Sequence, residues 1–94
     1  MPAVGLLTVD LHVPGARSLK DKRRVLASVK DRLRKLNVSV AEVDHLDAHQ
    51  RARLAIAATA SQREQVDRLL DGVVTEIERR EPGLVLATDR EWLS

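Results

Sequence analysis

Cysteine, phenylalanine and tyrosine are absent from this sequence of 94 residues, and Trp92 is its single aromatic residue. Without cysteine the chain has no disulfide, no thiolate nucleophile and no cysteine zinc site, and nothing indicates an oxidising compartment. Without phenylalanine and tyrosine, the core must be packed from Leu, Val, Ile and Ala side chains. Redox pairs and metal chaperones that use a CxxC loop are therefore excluded as functions.

Long apolar runs and clustered glycines are also missing. No segment approaches the roughly 20 apolar residues of a membrane-spanning helix, and the N-terminus lacks the order of a signal peptide. The four glycines are scattered along the chain, whereas phosphate-binding loops cluster them. The length suits one core but not two. We therefore expect a cytoplasmic protein with a single domain over residues 1–94.

Positive charge is concentrated in one stretch, residues 17–35. This stretch holds nine of the 16 Lys and Arg residues but only two of the 14 Asp and Glu residues, which is a local charge of +7. The rest of the chain sums to −5, so the formal net charge of +2 hides a polarised molecule. A negatively charged partner is expected to bind this stretch.

Hydrophobic periodicity predicts a strand followed by a helix at the start of the chain. Apolar residues alternate over residues 4–13, which indicates a strand with one face in the core. Residues 14–15, Pro-Gly, end this strand. Ser18 and Asp21 form a capping-box pattern before an apolar stripe with helical spacing, which predicts a helix over residues 18–35.

The middle of the chain predicts two strands joined by a polar loop. Residues 38–44 alternate until a change of phase that indicates a bulge near residues 41–42. Residues 45–50 are polar and break the pattern. Residues 51–60 alternate again, and we predict a third strand there.

The last third repeats the order of helix and strand. Ser61 and Glu64 form a second capping-box pattern, and the apolar helical face that follows ends before the Pro-Gly pair at residues 82–83. Residues 84–88 are a short apolar run, which predicts a fourth strand. The order β-α-β-β-α-β predicts a ferredoxin-like α+β fold, in which a four-stranded antiparallel sheet carries both helices on one face.

The basic helix is the strongest candidate for a binding site. Most of its cations fall opposite the apolar stripe, as in a phosphate-backbone footprint, and the alternative is a solvated face that keeps the protein soluble. The two central strands carry no aromatic residue on which bases could stack, which favours structured RNA or the ribosome over single strands. The residues predicted to contact nucleic acid are Arg17, Lys20, Lys22, Arg23, Arg24, Lys30, Arg34 and Lys35.

Lys22 is the exception in this helix, because it projects into the apolar stripe at the first turn. Its ammonium group must either reach past the helix end or serve a local site. Together with Ser18 and Lys20, it indicates an alternative function, an ACT-like regulatory module that binds a small anionic ligand at the helix N-terminus. ACT domains share the same order of strands and helices.

Catalytic and metal-binding signals are weak in this sequence. His45, Asp47 and His49 alternate, so an extended segment would present three metal-ligating groups on one face, and the alternative is a polar loop that caps strand ends. Ser18 lies close to Lys20 as a nucleophile would, but its position at a helix start explains it as a cap. We therefore assign no catalytic residue, no metal ligand and no cofactor, and we expect a protein that is not an enzyme.

The sheet face opposite the helices is predicted to carry small apolar residues, Leu6, Ala55 and Ala57. Such a surface suits homodimerisation. The predicted partners are therefore structured RNA or the ribosome and a second copy of the chain, with no membrane.

Two blocks of the sequence resemble the YlxP-like family of small bacterial proteins. Residues 16–24 (ARSLKDKRR) are similar to the SLK-x-KR signature of that family, and residues 40–45 (VAEVDH) with Asp47 and residues 50–52 (QRA) are similar to its second block. An aromatic residue often follows that aspartate in the family, but Ala48 follows it here. The resemblance implies a ferredoxin-like fold and a role linked to translation, because the family's genes often lie among those for translation initiation and ribosome maturation. It implies no catalytic residues.

Overall fold

Six elements in the order β-α-β-β-α-β make up the computed structural model, which describes residues 1–94. They are β1 (Ala3–His12), α1 (Leu19–Arg34), β2 (Ser39–Asp44), β3 (Arg51–Ala60), α2 (Arg63–Arg80) and β4 (Val85–Trp92). The predicted order and the predicted ferredoxin-like α+β class are both confirmed.

The four strands form one antiparallel sheet in the order β2-β3-β1-β4. The two central strands, β1 and β3, pair along their whole length, from Ala3 opposite Ala60 to His12 opposite Arg51. β2 and β4 are the edge strands, and each has an irregularity where its register with the central strand shifts. The outer edge of β2, which lies beside α1, therefore has no neighbouring strand.

The core is aliphatic, as the lack of phenylalanine and tyrosine predicts. Alternate residues of β1 and β3 point toward the helices and are buried, while the residues between them are half-buried on the other face. Each helix contributes a stripe of buried side chains, such as Leu26 and Leu33 from α1 and Leu70 and Ile77 from α2. Trp92 is half-buried at the margin of this core.

A glycine lets α2 approach the sheet closely. A Cβ atom at Gly5 would lie 2.7 Å from Val66 Cγ1 and 3.3 Å from Leu70 Cδ1, so the absence of a side chain in β1 makes room for the helix. Such close approach of a helix to backbone is one of the few reasons for glycine inside a central strand.

Most predicted bounds agree with the structure within one residue, and the differences that matter concern α2, β2 and β4. α2 begins at Arg63 with Gln62 as its N-cap rather than Ser61, because the Gln65 side chain accepts a hydrogen bond from the Gln62 backbone N–H at 3.2 Å. The irregularity in β2 falls at Val43, one residue beyond the predicted bulge. β4 continues through Trp92 instead of ending at residue 88, since its polar second half pairs with β1.

Candidate nucleic-acid interface

The start of α1 is held by two hydrogen bonds. The Ser18 hydroxyl accepts from the Asp21 backbone N–H at 3.1 Å, which confirms Ser18 as the N-cap. The Asp21 carboxylate accepts from the Arg17 backbone N–H at 3.0 Å instead of from Ser18 itself, so the capping box is displaced by one residue. A carboxylate therefore already lies beside the positive end of the helix dipole.

Most cations of the basic stretch face solvent. Five of them are exposed and Lys30 is half-buried, and none of the six has a carboxylate oxygen within 4.0 Å. The six unpaired cations are Arg17, Lys20, Arg23, Arg24, Lys30 and Lys35. Arg34 is also exposed, but it pairs with Asp31 at 3.2 Å.

Several arginines elsewhere in the molecule are neutralised by neighbouring carboxylates. Arg53 lies 2.7 Å from Asp10 and 3.0 Å from Asp44 on the open sheet face, and the hydrogen bond with Asp10 raises the pKa of Arg53 above its usual value. Arg90 of β4 contacts Asp67 and Asp71 of α2 at 2.8 and 2.9 Å. The contrast makes α1 the largest concentration of uncompensated positive charge.

Lys22 does not belong to this outer surface. Its side chain is only 1% exposed, and its ammonium nitrogen lies 2.9 Å from Glu42 Oε2. It also donates to the backbone carbonyls of His45 at 2.8 Å, Arg51 at 3.3 Å and Leu46 at 3.4 Å. The assignment of Lys22 to a nucleic-acid or ligand contact is therefore wrong, because a partner outside the molecule cannot reach the ammonium group.

The geometry around Lys22 explains why it tolerates burial. A buried ammonium is costly unless several oxygens replace its water shell, and here four oxygens lie within 3.4 Å of the nitrogen. The three N–H groups donate to the three carbonyls, and Glu42 Oε2, although 2.9 Å away, lies outside hydrogen-bond geometry and serves as an ion-pair partner. Glu42 was missed by the sequence reasoning. In β2 every second residue faces inward, and this alternation, continued from Val40 by two residues, could have placed Glu42 inside.

The two family-like blocks of the sequence meet at this point. Lys22 comes from the first block, and Glu42, His45 and Arg51 come from the second. The Gln50 side-chain amide adds to the contact by donating to the carbonyls of residues 14 and 16, both at 3.3 Å. The blocks therefore fasten the loop between β2 and β3 to the segment that begins α1.

The alternating residues of this loop do not form a set of metal ligands. No three His, Asp or Glu side chains converge anywhere in the chain. Asp47 and His49 are exposed, whereas His45 has a positive φ of 59° and a buried Nε2 atom without a hydrogen-bond partner. The loop matches the alternative interpretation, a polar connection at the ends of two strands.

Neither α1 nor α2 contains an apolar stretch of the length that a membrane-spanning helix needs.

Solved structures with this architecture define the class of protein. A designed protein, Foldit4, has a TM-score of 0.60 at 10% identity and covers 100% of this chain and 98% of its own. A second designed protein, described as having a ferredoxin fold, has a TM-score of 0.56 at 14% identity and covers 100% of this chain and 87% of its own. These likenesses show a ferredoxin-like fold and carry no function.

The family follows from sequence comparison. The model of the family "Protein of unknown function (DUF503)" matches residues 4–90, and the chain therefore belongs to this family. The chain is also 36% identical over 76 residues to the uncharacterised protein YlxP of Bacillus subtilis strain 168, which covers 80% of this chain and 83% of that protein. The predicted resemblance to the YlxP-like family is confirmed.

Proposed function

We propose that this protein binds structured RNA, as part of the ribosome or of its precursors, through the exposed basic surface of α1, and that it is not an enzyme. The observation that carries the proposal is the set of six unpaired cations on and beside one helix. Solubility alone does not call for such a set, since α2 has acidic and basic residues mixed on its outer face.

The mode of binding follows from what the sheet offers. β1 and β3 are the central strands, where RNA-recognition sheets carry stacking aromatics, and neither strand contains an aromatic residue. Affinity must then come from phosphate contacts, which are insensitive to base sequence and sensitive to salt. Double-helical RNA, whose phosphates have fixed positions, suits a rigid helix better than a flexible single strand.

The alternative function, a small anionic ligand at the start of α1, has less support. Of its three proposed contacts, Lys22 is buried and the Ser18 hydroxyl is engaged by the Asp21 backbone N–H. The Asp21 carboxylate beside the helix start would also repel an anion. Lys20 is the remaining cation, and one exposed lysine does not make a pocket.

Binding of the wild-type chain to ribosomal subunits and to an RNA hairpin at low salt tests the proposal. We expect a complex that dissociates as salt rises, and we expect charge reversal on α1 to abolish it. The reversed variant combines Arg23→Glu, Arg24→Glu, Lys30→Glu and Arg34→Glu.

A matched control reverses the same number of charges elsewhere on the surface. It combines Arg51→Glu, Arg68→Glu, Arg79→Glu and Arg80→Glu, four exposed arginines outside α1. The control is expected to retain at least part of the binding, while the α1 variant loses it. Absence of binding by the wild type at low salt, or equal loss in the two variants, refutes the proposal.

A further inference from the structure

The cations of α1 do not surround the helix evenly. At 100° per residue, Arg23, Lys30 and Arg34 lie within an arc of about 40°, on the flank that faces β2. Lys20, Arg24 and Lys35 lie within an arc of about 60° at the outer pole, which is turned away from the sheet. We call these two groups the flank set and the pole set.

The flank of α1 that faces α2 borders a smaller cleft of about 150 Å³, which is lined by Arg32, Glu76, Arg79 and Arg80. Arg32 lies 3.6 Å from Glu76 of α2, and the Ser28 hydroxyl accepts hydrogen bonds from Arg80 of α2 at 3.1 and 3.2 Å. Glu76 also lies 3.6 Å from Arg79, so one carboxylate partly compensates the arginines of this smaller cleft. On the opposite side of α1, β2 is an edge strand and no further element covers the helix.

A cleft of about 270 Å³ lies between α1 and β2, and all three residues of the flank set line it. Asp31 and Glu42 also line the cleft, but both are already paired. Asp31 lies 3.2 Å from Arg34, and Glu42 lies 2.9 Å from the buried Lys22 ammonium. Lys22 thus cancels the carboxylate at the β2 side of the cleft, which keeps the cleft positive.

A concave cationic surface binds phosphate better than a convex one. Walls of low dielectric focus the field of the cations that line a cleft, whereas cations at the outer pole have no such walls around them. Two of the three cations are arginines, and the planar guanidinium matches phosphate oxygens in a bidentate manner. Along the helix the flank set spans twelve residues, and the eleven rises of 1.5 Å between its ends give about 16 Å, enough for more than one phosphate.

We propose that the cleft between α1 and β2 is the site that seats the phosphate backbone of a double-helical RNA, with Arg23, Lys30 and Arg34 as its contacts. The pole set attracts the RNA from a distance without contacting it closely. This inference rests on the proposed function and adds to it the direction from which RNA approaches and the residues that determine affinity.

Two matched triple variants test the inference with a fluorescent RNA duplex of about 16 base pairs, the length that a small double-strand-binding domain covers. The flank variant combines Arg23→Gln, Lys30→Gln and Arg34→Gln. The pole variant combines Lys20→Gln, Arg24→Gln and Lys35→Gln. Both remove three positive charges from α1 or its C-cap residue, and thermal melts check that both remain folded.

We expect the flank variant to lose about 100-fold in affinity at low salt and to reduce the slope of log Kobs against log salt by about 2 to 3, as loss of three phosphate contacts predicts. The pole variant should lose less than about 10-fold, with a slope change below about 1. Equal losses, or a larger loss in the pole variant, overturn the inference and leave the proposed function standing. No binding by the wild type overturns both.

A single substitution of opposite sign provides a second measurement. Asp31→Asn releases Arg34 from its ion pair and makes the cleft more positive, so it should tighten binding to the RNA duplex. A merely structural role of the flank set predicts no such gain. If Asp31→Asn leaves the affinity for the duplex unchanged, the cleft does not bind the phosphates of RNA. The same conclusion follows if the wild-type protein binds poly-glutamate more tightly than the duplex.

Discussion

Lys22 is the residue on which the loop between β2 and β3 depends. Its ammonium joins the backbone carbonyls of residues 45, 46 and 51 to the carboxylate of residue 42. A buried ion pair is weak proof of net stability, but removal of one partner leaves the other charge buried and uncompensated. A substitution that removes the charge of Lys22 should therefore lower the stability of the protein strongly.

Replacement of Lys22 by methionine keeps the length of the side chain and removes its charge. The Glu42 carboxylate, which is 14% exposed, would then lack its partner, and we expect the free energy of unfolding to fall by about 3 kcal/mol. Urea denaturation measures this free energy of unfolding. Lys20→Met is the control, since Lys20 is exposed, and it should cost less than about 0.5 kcal/mol. Similar costs for the two variants would contradict the role of Lys22.

Asp44 gives a pH-dependent contribution at the same end of the sheet. Its pKa lies below the ordinary value, first because its carboxylate accepts a hydrogen bond from the His45 backbone N–H at 2.8 Å, and further because of the charges of His45 and Arg53. The unfolded chain therefore binds a proton on Asp44 at a higher pH than the folded chain does. The stabilisation is present above about pH 4 and is lost as pH falls through the folded pKa.

Thermal melts over the acid range test this contribution. We expect Asp44→Asn to lower the melting temperature near neutral pH and to flatten the fall in stability below about pH 4. Asp47→Asn is the control, because its carboxylate is exposed and has no ion-pair partner. An equal change in both variants contradicts the assignment to Asp44.

At the scale of elements, periodicity predicts both central strands and both helices, because each has one face in an aliphatic core. β4 was predicted too short, since its second half is polar and exposed. This half of β4 pairs with β1, and its Arg90 contacts Asp67 and Asp71. All of these partners lie far from β4 in the sequence. Periodicity carries no information about such contacts.

The candidate site was predictable only in part. The charge count located α1 and its outward face, because helical geometry alone decides which cations are exposed. The burial of Lys22 depends on Glu42, twenty residues later, and on carbonyls of a loop whose path the sequence does not state. The difference between the flank set and the pole set likewise depends on where β2 lies.

The close packing of α2 on β1 depends on Gly5. Gly5→Ala would place a Cβ atom 2.7 Å from Val66 Cγ1, and we expect a loss of about 1 to 3 kcal/mol in unfolding free energy. Gly72→Ala is the control. No atom lies within 4 Å of a Cβ there, so the change removes a glycine from α2 at no steric cost and should stabilise by about 0.5 to 1 kcal/mol. Adding Val66→Ala to Gly5→Ala should recover part of the loss.

The whole molecule is electrically asymmetric, with +7 in residues 17–35 and −5 in the remainder. Such asymmetry orients a protein as it approaches a polyanion and raises the rate of association at low salt. The open sheet face lies on the far side of the sheet from the helices and does not overlap with the basic surface of α1.

Homodimerisation through the open sheet face stays a prediction. Leu6, Ala55 and Ala57 are half-buried on that face, and a second copy would cover them. Sedimentation equilibrium should then detect a species of twice 10.5 kDa, and Ala57→Glu should remove it. A single species of 10.5 kDa at every concentration would dispose of the dimer.

The burial of one ammonium also divides the lysines by chemical reactivity. The chain has four lysines, at positions 20, 22, 30 and 35, and only Lys22 is enclosed. Acetylation of the folded protein should therefore modify three lysine side chains and spare the fourth, which mass spectrometry of intact protein and peptides can count. Protection of Lys22 should disappear in urea, so its labelling reports opening of the loop between β2 and β3. Rapid labelling of Lys22 under native conditions would contradict the enclosure.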